Sequence, residues 1–242
     1  MTNLLFPTDF SINTAVALDW VRLFAHKTGA TVTLLHVFRP MIPDTTLPTV
    51  GDAGMGVIAS QEVEDISRRR LIELADELQG ENISVQTDWR IGSVDDNILD
   101  AAREHSADLI VMGRSDLSTF FDRLAGSAVT DVADGAVCPV LIIPIPTEGK
   151  AIRPTQVKII AYAMQSQTTQ ALVTAQTESL LKTFDAELSV LTDDELDKPA
   201  ADLIVMQFQP ASGFLDNLLH PNHVNKLIQN AEVPLLVYHE QK

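Results

Sequence analysis

The hexapeptide ADLIVM occurs twice in this chain, at residues 107–112 and again at 201–206. Four apolar residues in a row after an aspartate read as a strand buried on both faces, the kind found in a parallel sheet covered by helices. The surroundings of the two copies also match. After each comes a second apolar strand with a proline near its start, CPVLIIP at 138–144 and VPLLVYH at 233–239. Before each lie a short strand (3–8 and 158–163), a helical stretch (13–28 and 168–184) and another strand (31–37 and 187–192). Strands alternating with helices imply right-handed crossovers and a parallel sheet. The repeat therefore predicts an α/β protein of two parallel-sheet modules related by an approximate two-fold axis, with the strands 140–143 and 235–237 approaching one another.

The polar stretch IPTEGKAIRP, with its prolines and glycine, marks the boundary. The expected modules are residues 1–146 and 154–242. They are unequal. Between its second strand and ADLIVM the first carries a Pro- and Gly-rich loop (39–58), a helix (59–79), a strand (83–90) and a short helix (94–104), whereas the second has only residues 193–200 there. The second module is thus expected to be truncated. In the helix 59–79, Val63, Ile66, Leu71, Leu74, Ala75 and Leu78 form one apolar stripe, which leaves Arg68, Arg69 and Arg70 on or beside the solvated side.

A net charge of −16 argues against a polyanionic partner such as nucleic acid. No apolar run reaches membrane-spanning length, and the N-terminal MTNLLFPTDFS lacks the pattern of a signal peptide, so a cytoplasmic protein is expected. The one cysteine, Cys138, lies in an apolar strand and reads as a buried, inert thiol. His220 and His223 without a third ligand make no zinc site, and Asp95-Asp96 read as helix-start carboxylates. No catalytic arrangement of Ser, His, Asp or Cys is legible, so no catalytic residue is assigned.

Two segments fall where open α/β sheets bind ligands, at the C-terminal ends of parallel strands. In Met112–Ala128, Gly113 leaves the strand, a loop follows, and Gly126-Ser127 opens the next helix with free backbone N–H groups, a hydroxyl and the positive end of the dipole. The plainer reading is a glycine turn followed by a serine N-cap. Asp9, after the first strand, either caps the next helix or contacts a ligand.

The segments FPTDFS, GATVTLLHVFRP and MG…GSA…CPVLIIP resemble the universal stress protein family, over the whole first half and in outline over the second. The resemblance implies a Rossmann-like fold of the adenine nucleotide alpha hydrolase type. It also implies an adenine nucleotide such as ATP as ligand, with Mg²⁺ as a possible companion. ATP-binding members carry Gly, two residues, Gly, nine residues, Gly, Ser/Thr. This chain keeps the spacing as Gly113, Asp116 and Gly126-Ser127. By resemblance Pro7 and Thr8 line the base pocket, Asp9 and Val37 flank the adenosine, Met112 and Gly113 begin the phosphate loop, and Gly126, Ser127 and Ala128 meet the phosphates. Asp116 replaces a glycine and opposes phosphate charge, unless Arg114 and Arg123 offset it or it ligates Mg²⁺. In the second half Met164, Gln207 and Pro221-Asn222 fall at the positions of Asp9, Gly113 and Gly126-Ser127, so that half is expected to bind no nucleotide and to act as an internal pseudo-dimer partner. A homodimer also stays open. The functions in play are a nucleotide-binding stress or regulatory protein with slow ATP hydrolysis at most, an interaction module of the same family that binds no nucleotide, and, least favoured, a small enzyme of the related hydrolase or nucleotidyl-transferase type.

Overall fold

A computed structural model describes residues 1–39, 53–113, 131–133, 135–144, 156–164, 168–191, 200–207 and 232–239. Along the chain these form β1 (Asn3–Pro7), α1 (Ile12–Thr28), β2 (Thr31–Phe38), α2 (Ala53–Gly80), β3 (Val85–Ile91), α3 (Val94–Glu104), β4 (Leu109–Gly113), β5 (Val140–Ile143), β6 (Ile159–Ala163), α4 (Gln170–Phe184), β7 (Glu187–Leu191), β8 (Leu203–Gln207) and β9 (Leu235–Tyr238). The strands join in one nine-stranded sheet of order β3-β2-β1-β4-β5-β9-β8-β6-β7. Neighbours run parallel everywhere except at β5–β9, where Val140, Leu141 and Ile142 pair antiparallel with Val237, Leu236 and Leu235. On either side of that pair the order repeats, β2-β1-β4-β5 against β7-β6-β8-β9.

The two copies of ADLIVM have a common structural reason for their aspartate. Asp108 Oδ2 accepts from the backbone amides of Thr2 and Asn3, and Asp202 Oδ2 accepts from those of Lys158 and Ile159 at 2.8 and 2.9 Å. Each carboxylate thus ties the start of its strand to the start of the neighbouring one. Burial disfavours the charged form of Asp108, but the amides of Thr2 and Asn3 outweigh it and hold its pKa below the usual aspartate value. The LIVM residues that follow are buried in both copies.

Helices cover both faces. Leu4, Phe6, Val32, Leu34, Val111 and Leu141 pack under α1, α2 and α4. On the opposite face Leu5, Leu35, Ile110 and Val140 pack with Ile98, Ala101 and Ala102 of α3 and with Val132 and Ala133. Local signals set the helix ends. Ser11 and Thr169 cap α1 and α4 through their side chains, and both helices end in a left-handed residue, Gly29 (φ 68°) and Asp185 (φ 53°).

Helix α2 departs from expectation in two ways. It begins at Ala53, inside the stretch read as loop, because Gly54 and Gly56 suggested a break although a helix tolerates glycine at a cost of about 1 kcal/mol. Its buried stripe is Ser67, Leu71, Ala75 and Leu78, whereas Val63 and Ile66 are 47% and 44% exposed. A helix of 28 residues is ~42 Å long, longer than the strands beneath it, and the exposed Val63 and Ile66 lie N-terminal to its buried stripe. Arg68, Arg69 and Arg70 are exposed as expected, and the Arg68 guanidinium lies 3.4 Å over the Trp89 ring while pairing with Glu64. The linker around 146–154 lies outside the described residues.

The sides of the sheet lean on each other. β9 has β5 as its outer neighbour, and Phe184 of α4 meets Phe24 of α1 edge to face with centroids 5.0 Å apart. A fragment of residues 154–242 loses both contacts and uncovers Leu235, Leu236 and Val237. It is expected to show no cooperative thermal transition by circular dichroism and no dispersed amide spectrum by NMR.

Candidate functional site

β2, β1 and β4 are adjacent and parallel, so their C-terminal ends meet at one rim of the sheet. Pro7, Thr8 and Asp9 from β1, Val37 from β2, and Met112 and Gly113 from β4 therefore lie at the same edge, as their sequence positions predicted. Asp116, Gly126, Ser127 and Ala128 lie outside the described residues. Val37 and Met112 belong to the core on the α3 side, with exposures of 9% and 8%. Thr8 is buried on the opposite side, beneath α1 and α2.

The turn from β1 into α1 is held by a closed set of hydrogen bonds. The amide of Thr8 donates to the Leu35 carbonyl at 2.8 Å, and the Thr8 hydroxyl accepts from the Phe10 amide at 3.1 Å. Asp9 Oδ1 accepts from the Ser11 amide at 2.9 Å and from the Thr14 hydroxyl. Asp9 thus stands two residues before the N-cap and braces it, while the cap itself is Ser11. Its second oxygen, Oδ2, accepts no hydrogen bond among the described residues. Phe10 takes the left-handed backbone conformation, φ 60°, which an aromatic residue seldom adopts. Its ring lies against His36, with centroids 4.7 Å apart, and His36 Nδ1 donates to the Thr8 carbonyl at 2.8 Å. Neither Phe10 nor His36 stood out in the sequence, because their roles depend on a register between separate strands.

A cavity of about 530 Å³ opens beside this turn, between the first half of α1 and α2. Phe6 and Thr8 form its floor, Ser11, Thr14 and Leu18 one wall, and Arg70, Glu73 and Leu74 the other. At its far end Arg22 ties the helices together through Asp19 (3.2 Å), Glu77 and Glu81 (2.9 Å). Of the described residues expected at a ligand, Thr8 alone lines this cavity. No sequence pattern pointed to it, since its walls come from segments far apart in the chain. Among the described residues no group of three or more His, Cys, Asp or Glu side chains could hold a metal ion, and no helix is long and apolar enough to cross a membrane. Cys138 is buried, and burial pushes its thiol up to about 12.

With the edge and its turn in place, the comparisons with known proteins decide the family. Residues 1–144 match the model of the universal stress protein family. The chain belongs to that family. It is 27% identical to the universal stress protein YxiE of Bacillus subtilis over 147 residues, which cover 58% of this chain and 97% of that one. A crystal structure of a universal stress protein from Archaeoglobus fulgidus superposes with a TM-score of 0.63 at 16% identity, covering 98% of this chain and 96% of that one. A functionally unknown protein from Pseudomonas aeruginosa superposes with a TM-score of 0.66 at 15% identity, covering 100% and 93%. At these identities the structural matches establish a shared fold over the whole length.

In this universal stress protein the second half of the sheet has a different rim. The amide of Met164 donates to Leu191 as that of Thr8 does to Leu35, so Met164 stands at the Thr8 position and not, as the sequence suggested, at that of Asp9. Gln207 ends β8 where Gly113 ends β4. It is 7% exposed and packed inward: Gln176 of α4 donates to Gln207 Oε1 while accepting from the Tyr162 hydroxyl at 2.7 Å, and the Tyr238 hydroxyl donates to the Gln176 carbonyl at 2.9 Å. Burial raises the pKa of both tyrosines, Tyr238 to about 12, so both remain donors at neutral pH. Where β4 ends on a glycine without a side chain, β8 ends on a glutamine held in this network.

Two outcomes follow. Gln176→Leu removes the acceptor of the buried Tyr162 hydroxyl and the donor to Gln207, and should cost about 1–3 kcal/mol in urea unfolding. His36 is held below its ordinary pKa of 6.5, first by burial, against the opposing pull of the Thr8 carbonyl and Asp9. The folded protein therefore resists a proton that the unfolded chain takes up as pH falls through 6.5. Stability should fall there and level off below the folded-state value. His36→Asn keeps a donor for the Thr8 carbonyl but cannot titrate, so its loss in Tm between about pH 7.5 and 5.5 should be smaller than the wild type's.

Proposed function

We propose that this universal stress protein is a cytoplasmic, regulatory stress-response protein that binds one adenine nucleotide, ATP being the first candidate, at the rim formed by β1, β2 and β4. In this reading Pro7, Thr8, Asp9 and Val37 hold the nucleoside, Met112 and Gly113 lead into the phosphate loop, and Asp116, Gly126, Ser127 and Ala128 face the phosphates. The chain is read as two modules, 1–146 and 154–242, with the second lacking a nucleotide site. The observation that carries the proposal is the meeting of the FPTDFS turn with the end of β4, from which the Gly113, Asp116, Gly126-Ser127 spacing departs. Two features of the rim fit a nucleotide. Asp9 Oδ2 is an acceptor with no partner among the described residues, suited to a ribose hydroxyl or an amino group of the base. Gly113 closes β4 with no side chain to obstruct a phosphate. The role is binding; turnover of ATP is slow at most.

Asp116 sets the strength of binding. A carboxylate about 4 Å from phosphate repels it by roughly 1–4 kcal/mol. Asp116→Gly is expected to bind ATP about tenfold more tightly in titration calorimetry, with mass spectrometry of the denatured wild type showing any nucleotide carried through purification. If Mg²⁺ reverses the order, Asp116 is a metal ligand. If neither protein binds ATP, the nucleotide reading gives way to an interaction module of the same family.

A further inference from the structure

The sheet ends in two unlike edges. At one, β3 presents Asp88 and Arg90, paired at 2.7 Å with Glu104 and His105 around them, and α2 packs on it. At the other, β7 has no neighbour on its outer side among the described residues. The ladder makes the contrast quantitative. Leu188 and Val190 pair with Ile160 and Tyr162 of β6, as Val32 and Leu34 of β2 pair with Leu4 and Phe6 of β1. Val32 and Leu34 are 0% exposed beneath α2, whereas Leu188 and Val190 are 37% and 48% exposed. The second half lacks a described counterpart of α2, and the strand it would cover is bare on that face.

The hydrogen-bonding pattern shows what this edge can accept. Glu187 donates to Lys158 and Leu191 accepts from Met164, so Glu187, Ser189 and Leu191 turn their peptide groups toward β6. By alternation Leu188 and Val190 turn theirs outward. We propose that β7 pairs antiparallel with β7 of a second copy of this chain, about a two-fold axis through Ser189. In that register Leu188 of one copy lies opposite Val190 of the other, and the two such pairs exchange four backbone hydrogen bonds, which use all the outward groups of both residues. The same alignment gathers two leucines and two valines on one face. Ser189 meets its own copy at a non-hydrogen-bonded position, where small side chains suit the close approach. Glu187 falls opposite Leu191, and the two Glu187 side chains stand about 13 Å apart, beyond the screening length at physiological salt. The strand has no lysine, proline or glycine, the devices that keep an edge from pairing. Other registers lose outward bonds or bring the two Glu187 residues together. This proposal gives a surface to the homodimer left open by the sequence and does not depend on nucleotide binding.

Two strands of five residues make a small interface, so a weak dimer is expected, with a dissociation constant on the order of micromolar. Two copies each carrying −16 repel, so association should strengthen as salt rises. Sedimentation equilibrium of the full chain at several concentrations should show the dimer, and Val190→Lys should weaken it at least tenfold. Val63→Lys, at a similarly exposed apolar site on α2, should leave it unchanged, and circular dichroism checks that both variants fold. Independently, Ser189→Cys should cross-link to itself through a disulfide under oxidised glutathione, since paired Cα atoms at such positions are about 4.5 Å apart, while buried Cys138 stays reduced. A wild type that stays monomeric up to concentrations of about 100 μM, or a dimer that survives Val190→Lys with no cross-link at Ser189→Cys, overturns the proposal; the second result assigns the dimer to another face.

Discussion

The antiparallel pairing of β5 with β9 governs the geometry of everything else. Parallel strands continue a sheet with all their C-terminal ends on one rim. A single antiparallel step reverses that direction, so the ends of β1, β2 and β4 open on one rim and those of β6, β7 and β8 on the opposite one. Residues at the two rims cannot converge on one ligand. The step also joins two apolar strands, VLII and LLVY, whose side chains are buried almost throughout because helices cover both faces. Cutting it would expose apolar surface on each side, which makes the folding of one side depend on the other.

Much of this was legible because its causes are local. The repeated ADLIVM reports buried strands, whereas the tie its aspartate makes between strand starts, at Asp108 and Asp202, joins residues far apart in the chain and was not legible. Helix ends at Ser11, Gly29 and Thr169 follow capping chemistry readable from neighbouring residues. What escaped depends on tertiary packing. Gly54 and Gly56 looked like breakers but lie within a long helix, and Val63 and Ile66 kept the helical period yet are exposed. The one-residue slip at Met164 shows how short strands leave register open until the ladder fixes it. The cavity between α1 and α2, and the pairing of His36 with Phe10, join residues that no spacing rule connects. The candidate site was legible as a set of strand ends and illegible as a shape.

The two rims have met the same problem differently. A parallel strand that stops at the edge leaves peptide groups and a space between the helices above it. In the first half β4 ends on Gly113, which brings no side chain to that edge. In the second, Gln207 turns inward and reaches Gln176, which also serves the hydroxyl of Tyr162 and the backbone link to Tyr238. A buried amide network is stable only when its members are satisfied, so it cannot be partly opened to admit a ligand without a penalty of about 1–3 kcal/mol for each stranded group. That difference in chemistry, a glycine at one strand end and a bonded glutamine at the other, separates the two rims.

The β1–α1 turn at the first rim is fixed by its own hydrogen bonds. Phe10 is held in a backbone conformation that costs on the order of 1–3 kcal/mol, and such a residue persists only where its surroundings fix it. Here they do. The Thr8 hydroxyl takes the Phe10 amide, Asp9 Oδ1 takes the Ser11 amide, and His36 clamps the Thr8 carbonyl from the next strand while stacking on the Phe10 ring. Each of these bonds is made within the protein, so the turn is ordered before anything docks. Ordering a loop during binding costs about 0.5–1.5 kcal/mol for each immobilised side chain, and a turn fixed in advance avoids that loss. Asp9 is fixed along with the turn, since its Oδ1 is bonded within it to the Ser11 amide and the Thr14 hydroxyl.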